Sequence, residues 1–119
     1  MADKTNAIDQ RGQYELVGNS TATASSGAAT LNRYAGRITS ESLTTAAAGE
    51  YTLTLTNDRI EATDIILWTV GYGSSTTGTP GQGGCTVSAG QAVFTVTNLH
   101  ASAAFNGTLV VGFNIYKTA

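Results

Sequence analysis

The chain has 119 residues, 41% apolar and only 12% charged, and carries a formal charge of −2 from six Lys/Arg against eight Asp/Glu. That length is one domain able to bury roughly two-thirds of its unfolded surface. With no basic block to neutralise phosphates, no apolar run near the ~18 residues of a membrane span and a single cysteine, neither direct nucleic-acid binding, a membrane partner nor an intramolecular disulfide is expected.

The charged share is about half the ~25% of ordinary soluble domains. Either Thr, Ser and Asn supply the polar face, or much of the surface is covered by neighbours, where burying charge is unfavourable. The Met-Ala-Asp-Lys start lacks the apolar stretch of a secretory signal, so synthesis in a reducing cytoplasm is expected.

Residues 1–30 hold few large apolar side chains beyond Met1, namely Ile8, Tyr14, Leu16 and Val17, and residues 19–30 are all Ser, Thr, Ala, Gly and Asn. Such a stretch does not offset its own ordering entropy. It reads either as a disordered leader or as an extended arm ordered against a neighbour, with Tyr14, Leu16 and Val17 as anchors. The body is expected over residues 31–119.

Residues 30–39 read as a strand with Leu31, Arg33, Ala35 and Arg37 on one face and Ile38 on the other. Arg33 and Arg37 then share a face, facing solvent or an acidic partner. Residues 40–49 form a connection whose three alanines are too few for a helix.

The strongest signal follows, where three of the chain's twenty threonines alternate with Tyr51, Leu53 and Leu55. Side chains of a strand change face at every residue, so this run has an apolar inner and a hydroxyl outer face. Asn57, Asp58 and Arg59 open a turn, and Ile60 plugs the end of the core.

Residues 65–72 are apolar on both faces, with Ile65 and Leu67 on one and Ile66, Trp68 and Val70 on the other. Such a strand is either central or covered on one face by a partner. Residues 73–84, with five glycines and Pro80, read as a flexible loop. A short strand near residues 85–87 and two longer alternating runs, 92–97 and 109–116, complete the pattern. The sum is an all-β, antiparallel β-sandwich, jelly-roll-like or immunoglobulin-like, with an extended N-terminal arm.

Residues with chemical potential are sparse. His100, the only histidine, lacks a partner for a two-histidine metal site and reads as a structural cap on a turn. A triad recruiting Ser102 or Ser88 with Asp64 lacks nucleophile-elbow spacing. Cys85 has no flanking cation to lower its pKa. Asp58, Glu61 and Asp64 lack the ligand density of a calcium loop and read as solvated turn carboxylates. Gly71 and Gly73 begin a dinucleotide fingerprint that has no third glycine. The sequon at Asn106 reads as a chance match. Trp68 reads as a core anchor and Tyr72 as the more exposed aromatic. No catalytic residue, metal ligand or cofactor is expected.

Two segments carry a resemblance. RITSESLTTAAAGEYTLTLTN (residues 37–57) and VTNLHASAAFNGTLVVGF (residues 96–113) resemble small structural proteins of tailed bacteriophages. The resemblance implies a capsid decoration, or cement, protein on the head exterior, with the major capsid protein and copies of itself as partners and the virion surface as its location. Tyr14, Leu16, Val17, Arg33, Arg37 and Tyr72 are the expected partner-binding residues. The alternative from a different class is a tail-fibre or spike module binding a receptor or glycan through Tyr72 and residues 73–84.

Overall fold

The computed structural model describes residues 20–118. Eight strands occur in chain order: β1 (Thr21–Thr23), β2 (Ala28–Thr30), β3 (Ala35–Thr39), β4 (Glu50–Thr56), β5 (Ile65–Tyr72), β6 (Pro80–Ser88), β7 (Gln91–Asn98) and β8 (Leu109–Tyr116). They build two four-stranded sheets, sheet I in the order β1-β3-β8-β5 and sheet II in the order β2-β4-β7-β6. No helix occurs among the described residues. The chain is an all-β sandwich, as its alternation predicts.

Period-two patterning places the core between the sheets. Tyr51, Leu53 and Leu55 of β4 lie inward beside Ala92, Phe94 and Val96 of β7. Opposite them stand Leu109, Val111, Phe113 and Ile115 of β8 and Ile38 of β3. Phe94 is fully buried and meets Trp68 at 4.9 Å between ring centroids with a 52° tilt, so Trp68 is a core anchor. Burying an aromatic side chain of this kind stabilises by about 1.5–3 kcal/mol. Ile60 plugs one end of the sandwich as expected, and Phe105 plugs the other from within a loop.

Three expectations change. The single strand over residues 30–39 is two strands in different sheets, because the chain crosses over at residues 31–34. Asn57 donates its side-chain amide to the Arg33 carbonyl at 2.6 Å, and Asn32 accepts the Asp58 N–H at 2.9 Å, which holds this corner. Leu31 turns inward there.

The loop over residues 73–84 ends at Thr79, and Pro80 to Gly84 form the first half of β6. Glycine has weak strand propensity, yet proline is tolerated at the first residue of an edge strand. A bulge between Gln82 and Gly84 keeps β6 paired with β7. An added Cβ at Gly83 would lie 2.7 Å from Thr97 Oγ1 and 2.9 Å from the Thr95 carbonyl oxygen, so glycine is required where the backbones approach.

Residues 21–30, expected with the arm, form β1 and β2. Each pairs parallel with its neighbour, β1 with β3 and β2 with β4, while every other pair is antiparallel. Two three-residue strands thus blunt one side of both sheets. On the other side β5 and β6 are the edges, and the Gln82 side-chain amide donates to the Trp68 carbonyl across the gap.

Candidate functional site

The residues with chemical potential are dispersed. Asp64 precedes β5 at one end of the sandwich, and His100 follows β7 at the other. The His100 Nδ1 accepts the backbone N–H groups of Ser102 at 3.0 Å and Ala103 at 2.9 Å. That turn cap occupies the ring nitrogen that would otherwise act as a base. Ser88 lies at the Asp64 end of β6, so neither Ser88 nor Asp64 is brought to His100. Cys85 is half-buried, and burial pushes its thiol pKa up, away from thiolate character.

The acidic trio departs from expectation at one member. Asp64 is buried with 6% exposure, so it is not a solvated turn carboxylate. Its Oδ2 accepts the Glu61 N–H at 2.8 Å and the Lys117 ammonium at 2.9 Å. Burial opposes ionisation, but the Glu61 N–H and then Lys117 outweigh it, holding the carboxyl below its usual range. Lys117 is raised in turn, chiefly by its hydrogen bond to Asp64. It also lies 5.9 Å from the Tyr34 ring centroid, so the group ties the end of β8 to the link before β5. Asp58 pairs with Arg59 at 3.2 Å.

Polar side chains organise the opposite end, with Asn98 and Tyr51 buried and Asn106 exposed, and the sequence pattern did not mark Asn98 as a core position. Asn98 is fully buried; its Oδ1 accepts from Thr79 N–H and His100 N–H, and its Nδ2 donates to the Thr45 and Ala103 carbonyls. Asn106, in the sequon, accepts the Thr76 N–H at 2.7 Å and donates to Thr76 Oγ1 at 2.9 Å. Tyr51 donates its phenol to Glu41 at 2.9 Å; burial and then this acceptor raise its pKa. These groups build loops, since each of their polar atoms faces backbone or a neighbouring side chain.

What remains is surface. On the outer face of sheet II, β4 presents Glu50, Thr52, Thr54 and Thr56, and β7 presents Gln91, Val93, Thr95 and Thr97. The outer face of sheet I differs. Ile65 is 49% exposed, Leu67 57% and Tyr116 60%, with Ile65 and Tyr116 directly paired across β5 and β8. Next along the strands come Asn114 with Ala35, Gly112 between Thr69 and Arg37, and Val110 between Gly71 and Thr39. A groove of about 490 Å³ opens over Ala35, Gly36 and Gly112, walled by Arg37 and Asn114. Large apolar side chains thus stand in water beside this groove.

Of the expected partner-binding residues, Tyr14, Leu16 and Val17 lie outside the described residues. Arg37 is exposed on the outer face of sheet I, whereas Arg33 is half-buried in the corner before β3, so they do not share a strand. Tyr72 is 52% exposed, and its hydroxyl donates to the Gly78 carbonyl at 2.7 Å. The sequence pattern marked Ile65 and Leu67. Tyr116 was a further signal, since it falls on the outward parity of β8.

Compared with protein-family models, curated proteins and solved structures, the chain gives no match.

Proposed function

We propose that the chain is a phage virion structural protein of the decoration or cement type, which binds the outer surface of the head and stabilises the lattice of the major capsid protein. The reading rests on the resemblance carried by residues 37–57 and 96–113. The observation that supports it best is the contrast between an outer face with exposed Ile65, Leu67 and Tyr116 and polar side chains consumed in holding loops. That distribution suits a protein acting by contact.

A protein that binds the assembled lattice and not its dissociated subunits stabilises the lattice by mass action. The test is binding of the purified chain to heads that lack it, scored by copies per particle and by the temperature at which heads lose DNA. Copies on the scale of the major capsid protein, with a raised release temperature, are expected. Absence of binding to heads would overturn the reading.

Tyr72 favours a second reading, a glycan- or receptor-binding module of a tail fibre or spike. Its ring is half in water at the rim of residues 73–79, where an aromatic face can stack on a sugar. A glycan array separates the two, because only this second reading requires a sugar ligand that Tyr72→Ala abolishes.

A further inference from the structure

We infer that the outer face of sheet I is a self-association surface, on which two copies pack face to face about a two-fold axis. The inference deepens the part of the proposed function that gives this protein copies of itself as partners. It concerns the free protein in solution, so it stands or falls without a capsid.

The first observation is the exposed apolar cluster of Ile65, Leu67 and Tyr116. The second is the pair of strand glycines on the same face. Neither Gly71 nor Gly112 has a positive φ. An added Cβ at Gly71 would meet nothing within 4 Å, and at Gly112 it would meet only Thr69 Cγ2, at 3.7 Å. Glycine in a strand interior is unfavourable by about 0.5–1 kcal/mol relative to alanine, and it commonly marks close approach of something else. Among the described residues nothing gives a steric reason for glycine at either position.

The third observation selects a second copy as the occupant, because large and small positions are related by one operation. Take a two-fold axis in the plane of the face, perpendicular to the strands and passing over the paired row Trp68, Phe113 and Gly36. It places Ile65 over the second copy's Gly71 and Leu67 over its Thr69. It likewise places Tyr116 over Val110, Asn114 over Gly112 and Arg37 over Ala35. The walls of the groove, Asn114 and Arg37, thereby enter the partner's groove over Gly112 and Ala35. Such an isologous contact needs only one self-complementary surface, and sheets stacked in this way lie aligned within about 30°.

The size of the face sets the strength. The four strands, of three, five, eight and eight residues, cover roughly 380 Å² a side at ~3.3 Å per residue and ~4.8 Å between strands. About 760 Å² in total is below the range of stable specific interfaces, so a weak, reversible dimer with a dissociation constant of micromolar or weaker is expected. The axis also brings the two Arg37 side chains towards each other, so added salt tightens the dimer, whereas salt would weaken binding of Arg37 to an acidic partner.

Sedimentation equilibrium of the full chain over a concentration series tests this. Wild type should show a monomer–dimer equilibrium that Leu67→Asp and Gly71→Val each weaken by about tenfold or more. Circular dichroism and Tm should show both variants folded, since Leu67 is exposed and a Cβ added at Gly71 meets no described residue within 4 Å. Adding Ile65→Ala to Gly71→Val should restore association, because each side of the contact then exchanges large for small. A wild type that stays monomeric overturns the inference, as does a dimer indifferent to these variants or unrestored by the pair. So does a dimer weakened by salt. Dimerisation only after removal of residues 1–19 would likewise overturn it, by making that segment the occupant of the face.

Discussion

Asp64 shows how one residue couples the end of β8 to pH. Its carboxylate joins the Glu61 N–H and Lys117, and Lys117 also donates to the Arg59 carbonyl at 2.8 Å. The folded carboxyl titrates below its ordinary ~3.9, so its stabilisation is present above that pH and is lost as pH falls through the folded value. Lys117 is raised above its ordinary ~10.4, so its contribution is present below that pH and is lost as pH rises through the folded value. Wild type should therefore lose Tm below about pH 4 more steeply than Asp64→Asn, which starts lower but is flatter. Equal slopes for the two proteins would remove Asp64 from the acid limb. Lys117→Met, which leaves a buried carboxylate without its cation, should cost about 1–3 kcal/mol by denaturant titration. Nothing in the spacing of Asp58, Glu61 and Asp64 distinguishes the buried member, because the Lys117 that pairs with it is fifty-three residues away in the chain.

At the scale of elements, glycines in strands divide by what faces them. Gly83 looks out on the Thr95 carbonyl and Thr97, whereas Gly71 looks out on open space. Gly83→Val is therefore expected to destabilise by about 1–3 kcal/mol and to speed amide exchange in residues 81–84. Gly71→Ala should leave stability unchanged or raise it by up to about 1 kcal/mol. If both behave alike, strand entropy and not neighbouring backbone sets their effect. The same division explains what was legible. β4 and β8 each carry large apolar residues along one parity, Tyr51, Leu53 and Leu55 in β4 and Leu109, Val111, Phe113 and Ile115 in β8, and were readable to within a residue. β6 was not, because a Pro- and Gly-rich start carries loop chemistry and becomes a strand only when β7 offers its edge.

For the whole molecule, the side of the sandwich built by β1 and β2 decides how far the chain tolerates shortening. Removing residues 1–30 strips both short strands and leaves the edges of β3 and β4 unpaired. That truncation should lower Tm and aggregate, since bare edges template pairing between molecules. Removing residues 1–19 spares both strands, and it is the variant with which to test head binding by Tyr14, Leu16 and Val17. Equal solubility and Tm for the two truncations would show that β1 and β2 contribute little. Residues 21–30 were unreadable as strands because they hold only Ala, Thr, Ser and Gly; the buried Ala24 and Ala29 owe their place to the sheets they cap.

Local alternation alone determined the class of fold, the inward faces of β4, β7 and β8 and the two-faced apolar character of residues 65–72. Each of these is a one-strand property, written in the period of the backbone. Tertiary structure decided which strands are neighbours, which edges are closed and that β5 is an edge strand whose Ile65 and Leu67 face water beside Tyr116. Those outcomes depend on pairing between residues far apart in the chain, and no period within a strand encodes its neighbour.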